Sequence, residues 1–325
     1  MKQFSVILPL MNEEEVFEEL YSRVKKTMDS LDASYEVIFV DDGSVDTTGE
    51  LILECSKRDQ NILGVKLSRN FGQDNAISAG LRVSGGQDII LLDGDLQDPP
   101  EVIPTLINEK KKGYDVVCGV KTNRKEGMVI KGLTSLFYQF MFFLSGIGMP
   151  RNVGTFSVFT RQVCDAILEF TEYNRFFSGL RFLVGFKQTG INYVREKRTH
   201  GESKSFFALA RMAMNAIFSY AMFPMRLIIF FASGLAILTG VIFVFYLHQA
   251  IEGSSAIIDL NSFFQLFILL LLGTVLLVLI MMAEVVGRID AQAKRRPDYI
   301  IEAIFQNGVV VKEGPFFRKN QPVNF

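Results

Sequence analysis

The sequence predicts an α/β fold, a mainly parallel sheet with helices on both faces, followed by an interfacial helix and two membrane-spanning helices. Short runs rich in Val, Ile and Leu alternate with stretches of helical spacing through the first part of the chain. The last third holds two long stretches without a formal charge. A third observation, acidic clusters directly after two of the short runs, says where the chemistry lies.

Taken in order, the candidate strands are Phe4–Leu8, Tyr35–Val40, Ile62–Leu67, Asp88–Leu92 and Asp115–Gly119. The first is followed at once by Pro9 and Glu13–Glu15, which suits a strand and not a signal peptide. Val16, Phe17, Leu20, Val24 and Leu31 follow helical spacing, with Asn12 and Glu15 read as a capping box. Thr47–Ser56 and Asn75–Val83 are similar, and Pro100 opens a helix with Val102, Ile103, Leu106 and Ile107 inward. Sheets of this kind bind ligands beyond the carboxyl ends of their strands.

Leu227–Leu247 and Phe263–Ala283 each hold about twenty uncharged residues, enough to cross a bilayer. The loop between them carries Glu252 and Asp259 but no Lys or Arg. Arg211 and Arg226 precede the first span, and Arg288, Lys294, Arg295 and Arg296 follow the second. The positive-inside rule therefore predicts a multi-pass protein of the cytoplasmic membrane with both termini and the α/β domain in the cytoplasm. Phe206–Phe223 suits a helix lying in the membrane interface. Phe137–Met149 is too short to span and reads either as a core helix or as a lipid-facing edge. The expected domains are a catalytic region 1–204, an interfacial helix 205–225, a transmembrane hairpin 226–286 and a cytoplasmic tail 287–325. Ala232, Ala236 and Gly240 form a small-residue stripe that suits a helix contact, within the hairpin or in a homo-oligomer. The tail, with apolar Val309–Val311, is a second candidate for contacts between protomers.

Bulk composition excludes several classes. A net charge of -1 gives no field for nucleic acid. The 3 cysteines are widely spaced, without a CxxC, and read as reduced and buried. With 2 His, histidine-rich metal chemistry is not expected either.

Asp41-Asp42-Gly43-Ser44 follows the second strand and Asp93-Gly94-Asp95 the fourth. Together they crowd carboxylates onto the ligand edge of one sheet, which raises their pKa values unless a cation intervenes. A divalent metal carrying a diphosphate resolves the conflict, since Mg²⁺ takes one or two carboxylates and fills its shell with phosphate oxygens.

The ordered set VILPLMNEEE, VDDGS, LSRNFGQ and LDGDLQDPPE, with R-x-x-G-x-S-K at Arg198–Lys204 and the two spans, resembles family 2 glycosyltransferases of the GT-A fold. The resemblance covers roughly residues 4–296 and is nearest to the polyprenyl-phosphate glycosyltransferases, such as dolichyl-phosphate mannose synthase and bactoprenol glucosyltransferases. It implies a nucleotide-sugar pocket lined by Pro9, Asn12, Glu13, Asp41, Asp42, Arg69, Asp93 and Ser203, with Asp42 accepting from the base. It implies Mg²⁺ or Mn²⁺ on Asp95 and Gln97, and Asp93 beside the ribose and diphosphate. Arg198 and Lys204 would close over the donor phosphates, making Asp93, Asp95, Arg198 and Lys204 the catalytic set. Lys121, Arg124, Lys131 and Ser135 would hold the acceptor phosphate. One departure stands out: many relatives read Gly-Asp-Phe-Arg where this chain has Gly154-Thr155-Phe156-Ser157.

The reaction so implied is inverting transfer of a single hexose from a UDP-sugar, glucose by preference, to a polyprenyl phosphate in the bilayer. GDP-mannose is the alternative donor, and a non-catalytic nucleotide-sugar-binding scaffold the alternative class. A processive polysaccharide synthase is disfavoured, because its Gln-x-x-Arg-Trp motif needs a Trp and this chain has 0.

Overall fold

The computed structural model describes residues 2–122, 153–170, 176–196, 223–252, 260–294 and 297–313. Phe137–Met149, most of the interfacial helix expected at 205–225, and Arg124, Lys131, Ser135, Arg198, Ser203 and Lys204 lie outside the described residues. The chain forms two units, Met1–Ser219 with Pro297–Phe325, and Tyr220–Arg296.

The strands of the first unit are β1 (Phe4–Leu10), β2 (Tyr35–Asp41), β3 (Ile62–Leu67), β4 (Asp88–Leu91), β5 (Val116–Lys121), β6 (Val153–Thr160), β7 (Gln188–Tyr193), β8 (Ile301–Gln306) and β9 (Val309–Glu313). They make one 9-stranded sheet in the order β7-β5-β6-β4-β1-β2-β3-β8-β9. All five expected strands are present. The centre, β4-β1-β2-β3, is parallel, and every residue of β1 is buried, as a strand covered on both faces must be.

The sheet as a whole is mixed, which corrects the expectation of a mainly parallel one. β6 runs antiparallel to β4 and β5, β8 to β3, and β9 to β8. Strand–helix alternation imposes parallel pairing only on strands joined by a helical crossover. The flanking strands arrive by other routes, β8 and β9 from the region read as a tail.

Helices α1 (Phe17–Asp29), α2 (Thr48–Arg58), α3 (Gln73–Val83), α4 (Ile103–Lys110), α5 (Arg161–Glu169) and α6 (Phe177–Leu183) complete this unit. On α1, Phe17, Leu20, Val24 and Met28 repeat at helical spacing and are buried, and Phe17 packs on Phe39 of β2 at 5.0 Å between centroids. The capping box is not formed. Val16 stands at the cap with no side-chain hydrogen bond, while Asn12 takes a left-handed conformation (φ 54°). Asn tolerates that region better than most residues, so its side chain serves a loop contact instead. On β3, Gly64 is required by packing: a Cβ there would lie 2.6 Å from Ile52 Cγ2 on α2 and 2.9 Å from Phe305 Cδ2 on β8.

The second unit is a pair of long helices, α7 (Phe223–Glu252) and α8 (Leu260–Ala293), in contact through Phe243 and Phe267 at 6.1 Å. Among the described residues, Phe267–Gly287 is long and apolar enough to cross a membrane, whereas Ala232–Phe245 is a shorter apolar stretch.

Candidate active site

Three loops at the carboxyl ends of β1, β2 and β3 are stitched into one rim. Asn12 N donates to Ser44 Oγ (3.0 Å) and Glu13 N to Thr48 Oγ1 (3.0 Å). In return, Val45 N donates to Asn12 Oδ1 (2.9 Å), and Thr47 donates through N and Oγ1 to Glu14 Oε2 (2.9 and 2.6 Å). Pro9 is buried beneath this rim, opposite Val40. Gly43 (φ +69°) passes so close to the third loop that a Cβ would sit 2.3 Å from the Arg69 carbonyl carbon. A side chain there is excluded by space as well as by φ.

Asp42 ties the third loop down. Its Oδ1 accepts from Phe71 N (2.7 Å) and its Oδ2 from Gly72 N (2.9 Å). Burial raises its pKa, and those two backbone N–H groups oppose the rise. Its neighbour Asp41 is buried with Oδ1 accepting from Ser44 N (2.8 Å), and its Oδ2 has no partner. Arg69 is exposed and lies over the Phe71 ring at 4.3 Å.

The second acidic cluster follows β4, beside the point where strand order reverses between β1 and β4. Asp93 Oδ1 accepts from Thr155 Oγ1 on β6 (2.6 Å) and from Gln73 Nε2 on α3 (2.8 Å). Burial, reinforced by the negative charge of Asp98, pushes the Asp93 pKa up to about 6; Thr155 and the Lys121 ammonium counter it. Asp95 Oδ1 caps its own turn by accepting from Gln97 N (3.1 Å). Asp98 is fully buried, and its Oδ1 accepts from Tyr193 OH (2.5 Å) and Arg195 Nε (3.0 Å), while its Oδ2 has no partner. Arg195 Nη2 then lies 3.8 Å from Asp93 Oδ2 and 3.7 Å from Asp95 Oδ2. Burial pulls the Arg195 pKa down, but the surrounding carboxylates outweigh it and hold it above its ordinary value.

Asp93, Asp95 and Gln97 thus offer hard oxygen donors on one turn. Among the described residues no group of three or more His, Cys, Asp and Glu side chains forms a metal cage.

The pattern of glycosyl transferase family 2 matches residues 5–168, a span containing both acidic turns. The chain belongs to glycosyltransferase family 2. It is 38% identical over 312 residues to the uncharacterized glycosyltransferase YkcC of Bacillus subtilis, covering 92% of this chain and 93% of that protein. It is 31% identical over 308 residues to the bactoprenol glucosyl transferase of Shigella phage SfV, covering 92% and 98%. It is 30% identical over 308 residues to the undecaprenyl-phosphate 4-deoxy-4-formamido-L-arabinose transferase of Photorhabdus laumondii, covering 94% of each.

In this family 2 glycosyltransferase, the structure gathers Asp93, Asp95, Gln97 and Lys121 around one turn. Asn12, Glu13 and Arg69 lie on the neighbouring rim, over the buried Pro9, Asp41 and Asp42. Lys121 is nearly buried at the end of β5, where a Cβ on Gly154 would come within 2.7 Å of its Nζ. Four further residues join the candidate site that the motifs alone do not single out: Gln73, Asp98, Thr155 and Arg195. Gln73 and Asp98 stand within the quoted motifs, so the signal was there but unweighted. Thr155 was noted only as a missing Asp, yet its hydroxyl is a donor to Asp93. Arg195 stands in the same basic run as Arg198, and only its meeting with the turn after β4 distinguishes it.

A second guanidinium sits behind this glycosyltransferase site. Arg181 on α6 is fully buried. It donates to Thr155 O (3.1 Å), Ser157 Oγ (2.8 Å) and Gly154 O (2.9 Å), between the rings of Phe177 and Phe182. It therefore fixes the strand segment from which Thr155 reaches Asp93.

Proposed function

We propose that this glycosyltransferase moves one hexose, glucose in the first instance, from a UDP-sugar to the phosphate of a polyprenyl lipid at the cytoplasmic membrane face. The observation that carries the reading is the convergence of the two acidic turns at the carboxyl ends of β2 and β4. One of them holds a carboxylate, Asp93, that burial raises to about 6, and a divalent cation arriving with a diphosphate would favour its charged form. End-to-end similarity to proteins named for bactoprenol and undecaprenyl-phosphate sugar transfer supports the acceptor class.

The rim formed by Asn12 and Glu13 over Pro9 and Asp41, braced by Asp42, would take the nucleoside, with Arg69 at its open side. Asp95 and Gln97 would hold Mg²⁺ or Mn²⁺ with Asp93 beside them. Such a cation, when bound, neutralises charge building on the departing diphosphate. A phosphate oxygen of the acceptor forms a bond to the anomeric carbon from the face opposite the diphosphate. The bond from that carbon to the diphosphate oxygen breaks, the nucleoside diphosphate leaves with the electron pair, and configuration inverts. The acceptor oxygen is already anionic near neutral pH, so positioning matters more than a general base. Lys121 lies near the acidic turn for that positioning, with Arg124, Lys131 and Ser135 as further acceptor contacts. Arg198, Ser203 and Lys204 are proposed to cover the donor phosphates.

Chain connectivity supports two membrane crossings. β7 precedes the α7–α8 unit and β8 follows it, yet both belong to one sheet. The chain must therefore leave and re-enter on the same side of a bilayer, which requires an even number of crossings. Phe267–Gly287 qualifies as one, and its exposed Leu269, Leu272, Leu276 and Ile280 favour lipid over water. With it, a second crossing is proposed on α7, whose apolar stretch Ala232–Phe245 is shorter.

The test is transfer of radiolabelled sugar into an organic-extractable lipid. Purified protein, undecaprenyl phosphate and Mn²⁺ are incubated with UDP- and GDP-sugars, beside Asp95→Ala. A single-sugar lipid product that disappears in the variant is the expected result. Nucleotide binding without product on any donor would overturn the reading in favour of a scaffold.

A further inference from the structure

Arg195 is held unevenly. Its Nε hydrogen-bonds the fully buried Asp98 at 3.0 Å, and that carboxylate is itself fixed by Tyr193. Its Nη2 reaches towards Asp93 Oδ2 and Asp95 Oδ2 at 3.8 and 3.7 Å, ion-pair distances but not hydrogen bonds. The chain on either side is anchored. Tyr193 is buried, Glu196 N donates to Gln97 O (2.8 Å), and the Glu196 carboxylate pairs with Arg23 (3.1 Å). Arg195 thus has a fixed stem and one loosely engaged edge, and that edge faces the two carboxylates of the Asp93-Gly94-Asp95 turn.

We infer that Arg195 is the resident counter-cation of Asp93 and Asp95, a positioning residue that disfavours a free divalent cation and yields to one arriving with a diphosphate. The inference rests on the reading of this turn as the metal site in the proposed function. Two charges compete for one pair of carboxylates: the guanidinium, tethered and always present, and the divalent ion. Without a nucleotide, the ion must enter against the repulsion of Arg195 and gains few new oxygen ligands. With a nucleoside diphosphate, phosphate oxygens complete its shell and bring negative charge for the displaced Nη2 edge to meet. The stem on Asp98 need not move. Metal and donor therefore bind with mutual reinforcement, and that coupling comes from Arg195.

The test measures Mn²⁺ binding to the full chain in detergent, by calorimetry or by the spin-resonance signal of free Mn²⁺, with and without UDP. The proteins are wild type, Arg195→Met, Arg195→Gln, Arg195→Lys and Asp95→Ala. Arg195→Met is expected to bind Mn²⁺ about tenfold more tightly than wild type without UDP, as removal of one nearby unit charge predicts. Its enhancement by UDP should shrink by a similar factor. Arg195→Lys keeps the charge and should stay close to wild type, and Arg195→Gln, which removes the charge but keeps a polar side chain, should behave like Arg195→Met and covers the case in which the Met variant folds poorly. Equal Mn²⁺ affinity in wild type and Arg195→Met, or a Lys variant that behaves like Met, overturns the inference. The two failures are separable: if Asp95→Ala leaves Mn²⁺ binding intact, the metal-site reading itself is wrong, and if Asp95→Ala abolishes binding while Arg195→Met is silent, only the role of Arg195 falls.

Discussion

Neutralising Asp93 should make the metal-free protein more stable. Its pKa is raised from 3.8 to about 6, roughly two units at about 1.4 kcal/mol each, so its ionisation above pH 6 costs the fold ~3 kcal/mol at most. In Asp93→Asn the Oδ1 acceptor for Thr155 and Gln73 remains, while the attraction to Arg195 is lost, leaving a net gain of ~2 kcal/mol. For a unit of this size that is a rise of about 4–8 °C in Tm. The sign follows from the direction of the shift. A folded pKa above the unfolded one contributes stability that is present below about pH 4 and lost as pH climbs through about 6. The variant should therefore exceed wild type at about pH 7.5 and lose most of that advantage at about pH 4.5, where wild-type Asp93 carries its own proton. The assay is thermal unfolding in detergent with EDTA at both pH values. A variant less stable than wild type at the higher pH, or an advantage that does not depend on pH, would refute the account of Asp93 as a strained carboxylate.

Other outcomes follow from the same geometry. Thr155→Val removes a hydrogen bond that lowers the Asp93 pKa, so the acid limb of the transfer activity's pH profile should move to higher pH, by up to about one unit. Arg181→Met leaves Gly154 O, Thr155 O and Ser157 Oγ without their guanidinium donor, and thermal unfolding should show a loss of ~2–4 kcal/mol. Gly64→Ala forces a methyl against Ile52 and Phe305; a loss of ~1–3 kcal/mol and faster proteolysis of the segment carrying β8 are expected. Asp42→Asn can accept through one oxygen only, so either Phe71 N loses its partner or Gly72 N keeps only Asn70 Oδ1 (3.0 Å), and UDP affinity should fall by about tenfold in a binding titration.

The central strands and their helices were legible because each signal is local. Phe4–Leu10, Tyr35–Asp41 and Ile62–Leu67 announce themselves by β-branched and apolar runs, and Phe17, Leu20 and Val24 by spacing. The mixed edges were not legible, since antiparallel pairing of Ile301–Gln306 with β3 joins segments separated by the whole α7–α8 unit. No window of sequence contains both partners. The same holds in the site. Asp93 and Asp95 sit in a motif that can be read in a line, whereas Arg195 earns its place only when the end of β7 meets the turn after β4. Asn12 was misread for the converse reason: its local pattern fits a cap, but Val45, brought near by the second loop, takes its side-chain oxygen.

The position of β8 also sets a clock on assembly. As the chain emerges from the ribosome, β1, β2 and β3 are complete long before residue 301 exists, and β3 must wait with an open hydrogen-bonding edge while both long helices are made. An unfinished sheet edge beside an apolar nascent chain is a setting for mispairing. Emergence of residues 301–306, after both long helices, closes that edge. The sheet that carries both acidic turns is therefore finished only after the α7–α8 segment has been synthesised.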